Sequence, residues 1–305
     1  MRRIILFISI ILLSGCINLP NSGTPSEEYS NLELEIINIP QTIQNGQIIN
    51  PILRIINKAK YTIPSEKMYV KILNTNNFII DYNEQENSFQ KITDSKYFIN
   101  TLPINGKFLD TDFGDIYEFE FKGLEFNSFL SSGENTVFSI EQCYSYETQI
   151  ITDICISKDS YGQNCNSLEK KLVKLGSDDI EINSYEQINS VASGPNVYAT
   201  IKIEGKYSGS SNIAYNAEFD CSGDKKNKIL FVKKIQIGSK VINNIPKYCG
   251  SDLIYLDNND NFNIICNGLP TYDVWTKSSI DFTEKLTITL SYLKTDIISK
   301  DLTIV

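Results

Sequence analysis

The chain has 305 residues, enough for about two domains of roughly 150 residues each. A hydrophobic content of 41% excludes a disordered polymer, and a net charge of −9 argues against binding nucleic acid or anionic lipid through charge. There is no histidine, which excludes His-based triads and the commonest zinc ligand.

The N-terminus is the first legible element. Arg2 and Arg3 precede an apolar run over 4–13, broken by Ser9, and Leu13-Ser14-Gly15-Cys16 follows. A basic start, a short apolar core and small residues before the cut predict a secretory signal peptide over 1–15. The run falls short of the ~20 apolar residues needed to span a bilayer. Leu-Ser-Gly-Cys resembles the lipobox of prokaryotic lipoproteins. That resemblance implies that Cys16 is lipidated, becomes the mature N-terminus, and anchors the chain to the extracytoplasmic face of the cell membrane. Loss of Arg2 and Arg3 makes the mature chain still more acidic, so the lipid rather than charge has to hold it there. Residues 16–31 carry Pro20, Gly23, Pro25, Glu27 and Glu28 with little to pack, and read as a tether.

Strand patterns follow. Leu32, Leu34 and Ile36 alternate with Glu33 and Glu35; apolar runs fill 48–56 and 67–73; Tyr117, Phe119 and Phe121 alternate with Glu118 and Glu120. A period of two marks half-buried strands, and Asn45-Gly46, Asn105-Gly106 and Ser131-Ser132-Gly133 mark turns between them. The segment 158–195 differs. Leu168, Leu172 and Leu175 with intervening lysines predict two helical turns ended by Gly176, and Asp178, Asp179 and Glu181 follow. Strands resume with Val197, Ala199, Ile201 and Ile203 facing one way, then at 217–221, 229–237, 253–256, 262–266, 286–292 and 297–304. The expected fold is all-β: a first sandwich over 32–157, a connecting segment over 158–195 and a second sandwich over 196–305.

Seven cysteines leave six once Cys16 is set aside for lipid: Cys143, Cys155, Cys165, Cys221, Cys249 and Cys266. An even number in an exported chain predicts three disulfides. No Cys-x-x-Cys pair is present, which argues against structural zinc.

Two stretches carry a family resemblance. Ile52-Leu53-Arg54-Ile55-Ile56-Asn57-Lys58-Ala59, followed by Lys67-Met68-Tyr69-Val70-Lys71-Ile72, resembles paired strands of CARDB-like and other immunoglobulin-like modules of prokaryotic surface proteins. Cys143-Tyr144-Ser145-Tyr146-Glu147-Thr148 with Asp153-Ile154-Cys155-Ile156 is similar to a signature of membrane-anchored surface proteins of archaea. Gly194-Pro195-Asn196-Val197 resembles, imperfectly, the opening of that group's second β module, and Lys285-Leu286-Thr287-Ile288-Thr289-Leu290-Ser291-Tyr292 is similar to its close. The resemblance covers most of the mature chain and implies fold and location: two immunoglobulin-like sandwiches in tandem, and no particular activity.

Disulfide pairing then turns on one segment. If 143–155 were a straight strand, its ends would lie ~40 Å apart at ~3.3 Å per residue, far beyond the ~7 Å a disulfide tolerates. If the chain reverses near 148–150, Cys143 faces Cys155 across a hairpin, as the last two strands of an immunoglobulin-like sandwich would have it. The expected pairs are Cys143–Cys155, Cys249–Cys266 flanking a hairpin at 257–261, and Cys165–Cys221.

Candidate chemistry is sparse. Asp110, Asp112 and Asp115 alternate in a loop as calcium ligands can, but too few oxygens are in sight, and a polar turn is the better reading. Asp257-Asn258-Asn259-Asp260-Asn261 resembles the start of an EF-hand loop, but its sixth position is Phe262 and its twelfth Gly268, so it reads as a hairpin tip. Glu118 and Glu120 share a wet strand face, unlike an acid/base pair in split environments. Trp275 beside Tyr272 reads as packing rather than a sugar platform. No catalytic residue, metal or cofactor is assigned. The expected function is a lipid-anchored surface protein of structural, adhesive or protein-binding type. Its partner would be another envelope or surface protein. The alternative is a lipoprotein binding a glycan or small ligand; a carboxylate-based hydrolase is more remote.

Overall fold

The computed structural model describes residues 32–59, 61–73, 77–80, 89–91, 97–107, 114–127, 130–157, 173–175, 179–191, 197–209, 212–214, 228–272 and 281–305. Expectations for the leader, Cys16, the tether, Asp110, Asp112, Cys165, Cys221, Trp275 and the strand at 217–221 lie outside them, as does the Tyr272 side chain.

The strands in chain order are β1 (Leu32–Ile37), β2 (Thr42–Ile43), β3 (Ile48–Ile49), β4 (Ile52–Asn57), β5 (Met68–Leu73), β6 (Phe78–Ile80) and β7 (Phe89–Lys91). Then come β8 (Tyr97–Asn100), β9 (Ile116–Glu120), β10 (Leu124–Phe126), β11 (Asn135–Ser157), β12 (Lys174–Leu175), β13 (Ile180–Val191) and β14 (Val197–Tyr207). After β15 (Asn212–Ala214), β16 (Ile229–Ile237) and β17 (Lys240–Ile242), one short helix, α1 (Ile245–Cys249), precedes β18 (Leu253–Tyr255), β19 (Asn261–Tyr272) and β20 (Asp281–Ile304). The fold is all-β, in several largely antiparallel sheets.

Alternation builds the first strands as expected. On β4 Leu53 and Ile55 are buried, on β5 Met68, Val70 and Ile72, while Glu33 and Glu35 of β1 face water. The run 48–56 becomes two strands because Pro51 interrupts it: β3 joins β10, whereas β4 joins β1 and β9. β4 and β5, expected to pair, fall in different sheets, β5 lying against β11 and β8. On the outer face of the small sheet, cross-strand neighbours Glu35, Arg54 and Glu118 make an ion-pair ladder with contacts of 3.1 and 2.8 Å. Glu118 is therefore wet and paired, as its strand position predicts.

The organising feature is the ribbon of β11 and β20. All 23 residues of β11 pair antiparallel with β20, from Asn135↔Thr303 to Ser157↔Asp281. This ribbon is the middle of an 11-stranded sheet that also takes β5, β8 and β7 from the first half and β16, β17 and β18 from the second. A separate sheet holds β13, β14 and β19. Strands from both halves of the chain thus meet in one sheet. The expected strands at 286–292 and 297–304 are one strand because pairing with β11 continues between them. The segment read as a connection also changes. Lys174 and Leu175 pair with Ile151 and Ile150 as strand, and 180–191 forms β13 rather than linker.

The continuity of β11 overturns one disulfide. Cys143 and Cys155 lie on one unbroken strand, where no reversal occurs near 148–150, so they cannot bond to each other. Each is nonetheless in a disulfide, with a partner outside the described residues. Cys249 and Cys266 bond to one another as expected. The expected Cys165–Cys221 pair lies outside the described residues. The geometry behind the correct pair also differs from expectation. The turn at 257–261 is a corner between sheets, since β18 pairs with β16 and β19 with β14.

Candidate functional site

Register places a polar ladder on the inner face of the ribbon. Gln142 faces Asp296, Tyr144 faces Lys294, Tyr146 faces Tyr292 and Thr148 faces Leu290. Side chains two apart share a face, so these residues line up along one side. This inner face continues from Phe138 and Ile140 of β11 and from Leu286, Ile288 and Leu290 of β20, all buried. A lysine at that parity must enter the core, and Lys294 does, at 0% exposure.

Its partner comes from the neighbouring sheet. Asp179, immediately before β13, is 2% exposed, and its Oδ2 lies 2.8 Å from Lys294 Nζ. The Tyr292 hydroxyl donates to the same oxygen at 3.1 Å. Asp179 is held from behind, where its carbonyl accepts from Ser208 N at 2.8 Å. Gly209 leaves space for the carboxylate: a Cβ there would sit 2.6 Å from Asp179 Oδ1 and 2.4 Å from Tyr207 Oη. Tyrosine rings close the surroundings. Lys294 Nζ is 4.9 Å from the centre of the Tyr146 ring, which stands 5.6 Å from Tyr61 and 5.6 Å from Tyr292; Tyr207 lies 6.0 Å from Tyr292.

Burial governs the electrostatics. Desolvation holds the Lys294 ammonium below the usual lysine range, and the charge and hydrogen bond of Asp179, with the charge of Asp296, offset only part of this. Burial likewise pushes the Tyr144 and Tyr207 phenols upward, reinforced by the nearby Asp296 and Asp179. Gln142 donates to Asp296 at 3.2 Å. Among the described residues, Gln142 Oε1, Tyr144 Oη and Thr148 Oγ1 are buried without a hydrogen-bond partner, a concentration of unmet polar atoms confined to this ladder.

Other buried polar groups are fully used in fastening the chain. Asn100 Oδ1 accepts from Met68 N and Lys67 N, while its amide donates to Pro64 O and Leu102 O. Gln187 of β13 clasps the backbone of Cys155, accepting from its N–H and donating to its carbonyl. That clasp and the Asp179 contacts are two ties between the ribbon and the β13–β14–β19 sheet.

The residues singled out from the sequence serve turns. Asp115 Oδ2 accepts from the backbone and side-chain amides of Asn105. Asp257 accepts from Asn261 N, Asn261 Nδ2 and Asn259 N, with the Asn261 bonds chief in holding its carboxyl below the usual range. A hollow of about 280 Å³ beside this turn, lined by Tyr255, Asp257, Asn261 and Ile265, falls just under the roughly 300–1,000 Å³ of small-molecule sites. Among the described residues no group of three or more potential ligands could hold a metal, and no helix is long and apolar enough to cross a membrane. Sequence reasoning passed over Lys294 and treated Asp179 as linker. The available signal was parity, since Lys294 continues the inward series Leu286, Ile288, Leu290, Tyr292.

Chemically, the site is an amine, a carboxylate and several phenols sealed from water. A scan of the chain against protein-family models and a search of the curated proteins each returned no match.

Proposed function

We propose that this chain is a lipid-anchored protein of the extracytoplasmic membrane face that acts as a structural or adhesive element and catalyses nothing. The observation that carries this reading is the β11–β20 ribbon, in which 23 consecutive residues pair and strands from both halves join one sheet. Such a sheet resists separation of the halves, because they do not meet through a hinge but share hydrogen-bonded neighbours. Polar groups that would serve catalysis in an open cleft are instead spent inside, joining one sheet to another. An immunoglobulin-like origin of the two halves belongs to this reading and is supported by the mainly antiparallel pairing of their strands. The anchor is the lipid on Cys16, and the partner is another protein of the envelope or cell surface.

Replacing Cys16 with Ser tests the placement: the variant should leave the membrane fraction after a carbonate wash, and retention would mean that the anchor lies elsewhere. Cross-linking on intact cells tests the role. A defined envelope protein joined to the wild type, and lost from the Cys16→Ser variant, supports the reading; turnover of a glycan or peptide by the purified chain overturns it.

A further inference from the structure

We propose that Lys294 and Asp179 close an intramolecular amide bond, a covalent tie between β20 and the entry of β13. The two side chains meet at 2.8 Å with exposures of 0% and 3%; Lys294 belongs to β20, and Asp179 immediately precedes β13 of another sheet. The 2.8 Å is measured to Oδ2, so Cγ, the atom to be attacked, is one covalent bond beyond the contact. The amine is fully buried, and the surroundings are aromatic.

The step starts from the neutral pair, one proton having passed from the ammonium to the carboxylate within their hydrogen bond. The Nζ lone pair then attacks Asp179 Cγ. Negative charge develops on Oδ2, where the Tyr292 hydroxyl already donates at 3.1 Å. The Cγ–Oδ1 bond breaks as the C–N bond forms. Oδ1 leaves as water, taking one hydrogen from the acid and one from the amine. Nothing is oxidised or reduced, and no co-reactant is required. The bare Gly209 gives the leaving oxygen room, because a Cβ there would press on Oδ1 at 2.6 Å.

The alternative is a buried ion pair, which is often no more stabilising than a well-packed apolar pair. Peptide mapping separates the two. The full chain is purified from whole cells, reduced, unfolded and digested with trypsin. An amide at Lys294 blocks cleavage there, so peptide 286–300 should appear joined to peptide 175–202, lighter than their sum by one water, and free 286–294 should be absent. Stoichiometric recovery of free 286–294 from wild-type protein overturns the proposal. Lys294→Arg keeps the charge but cannot make this bond, so it should yield the two segments unlinked; a link that persists in it would place the bond elsewhere and equally overturn the assignment. Whether the chain is membrane-anchored does not affect either outcome.

Discussion

The two stretches of the β11–β20 ribbon solve the problem of burial in opposite ways. Near Asn135 its inner face meets phenylalanines. Phe138 packs 5.4 Å from Phe78 and 6.5 Å from Phe121, and Phe119 stands 4.7 Å from Phe121 and 5.1 Å from both Phe89 and Phe98. A few turns of the pleat further on, the same face carries Gln142, Tyr144, Tyr146, Tyr292, Lys294 and Asp296. Burial of the phenylalanines is favourable by area alone, whereas each group in the polar stretch needs a partner at a fixed distance. The first stretch stabilises the fold with some tolerance of detail; the second depends on register, because a one-residue slip would turn Lys294 to the opposite face.

The comparison can be broken most severely from the polar side. Asp179→Ala removes the buried carboxylate that faces Lys294 and should cost about 3–5 kcal/mol in denaturant unfolding. Replacing both, Asp179→Leu with Lys294→Met, leaves no buried polar group without its counterpart and should recover much of that loss; a double variant as unstable as the single one would show that the tie between the two segments, rather than the matching of polar groups, is what was lost. On the apolar side Phe121→Ala should cost about 3–5 kcal/mol through a cavity, with no rescue from any charge change. A loss under about 1 kcal/mol would mean that this cluster is loosely packed.

Alkali should distinguish the stretches by a smaller effect. Burial, with help from the Glu147 charge, pushes Tyr61 up to about 12 from an ordinary 10.0. A group with a raised folded pKa stabilises fully below its unfolded value and loses that contribution as pH climbs through the folded one. Stability should therefore fall between pH 10.0 and about 12, with tyrosinate absorbance appearing late, and Tyr61→Phe should lessen the fall. Phenolate absorbance complete near pH 10 would contradict the burial of these rings. The smallest effect is expected from Tyr144→Phe, which removes a hydroxyl that has no partner among the described residues. The change should be neutral or stabilising by up to about 1 kcal/mol, and a clear loss would reveal a partner beyond them.

Much of the strand inventory was legible in the chain because alternation at single strands is local. The run 229–237 coincides with β16, and Ala199, Ile201 and Ile203 turn inward as their spacing predicts. Turn chemistry was legible too, in Gly46 and Gly133, both with positive φ, and in the Asp257 carboxylate that gathers its own loop. The Cys249–Cys266 bond was reached, although through a hairpin that is really a corner.

What only the tertiary structure decided is pairing across distance. Nothing local tells residues 143–155 whether to reverse or to run straight, since no Gly or Pro marks that stretch; the answer lies in β20, more than a hundred residues away, which supplies a partner for every position. The same is true of Lys294 and Asp179. Each reads as an ordinary surface charge by composition, and only the packing of one sheet on another removes both from water and leaves them 2.8 Å apart. Periodicity determines which face of a strand is apolar; which strands meet on that face is set by the sum of buried area and satisfied hydrogen bonds over the whole molecule.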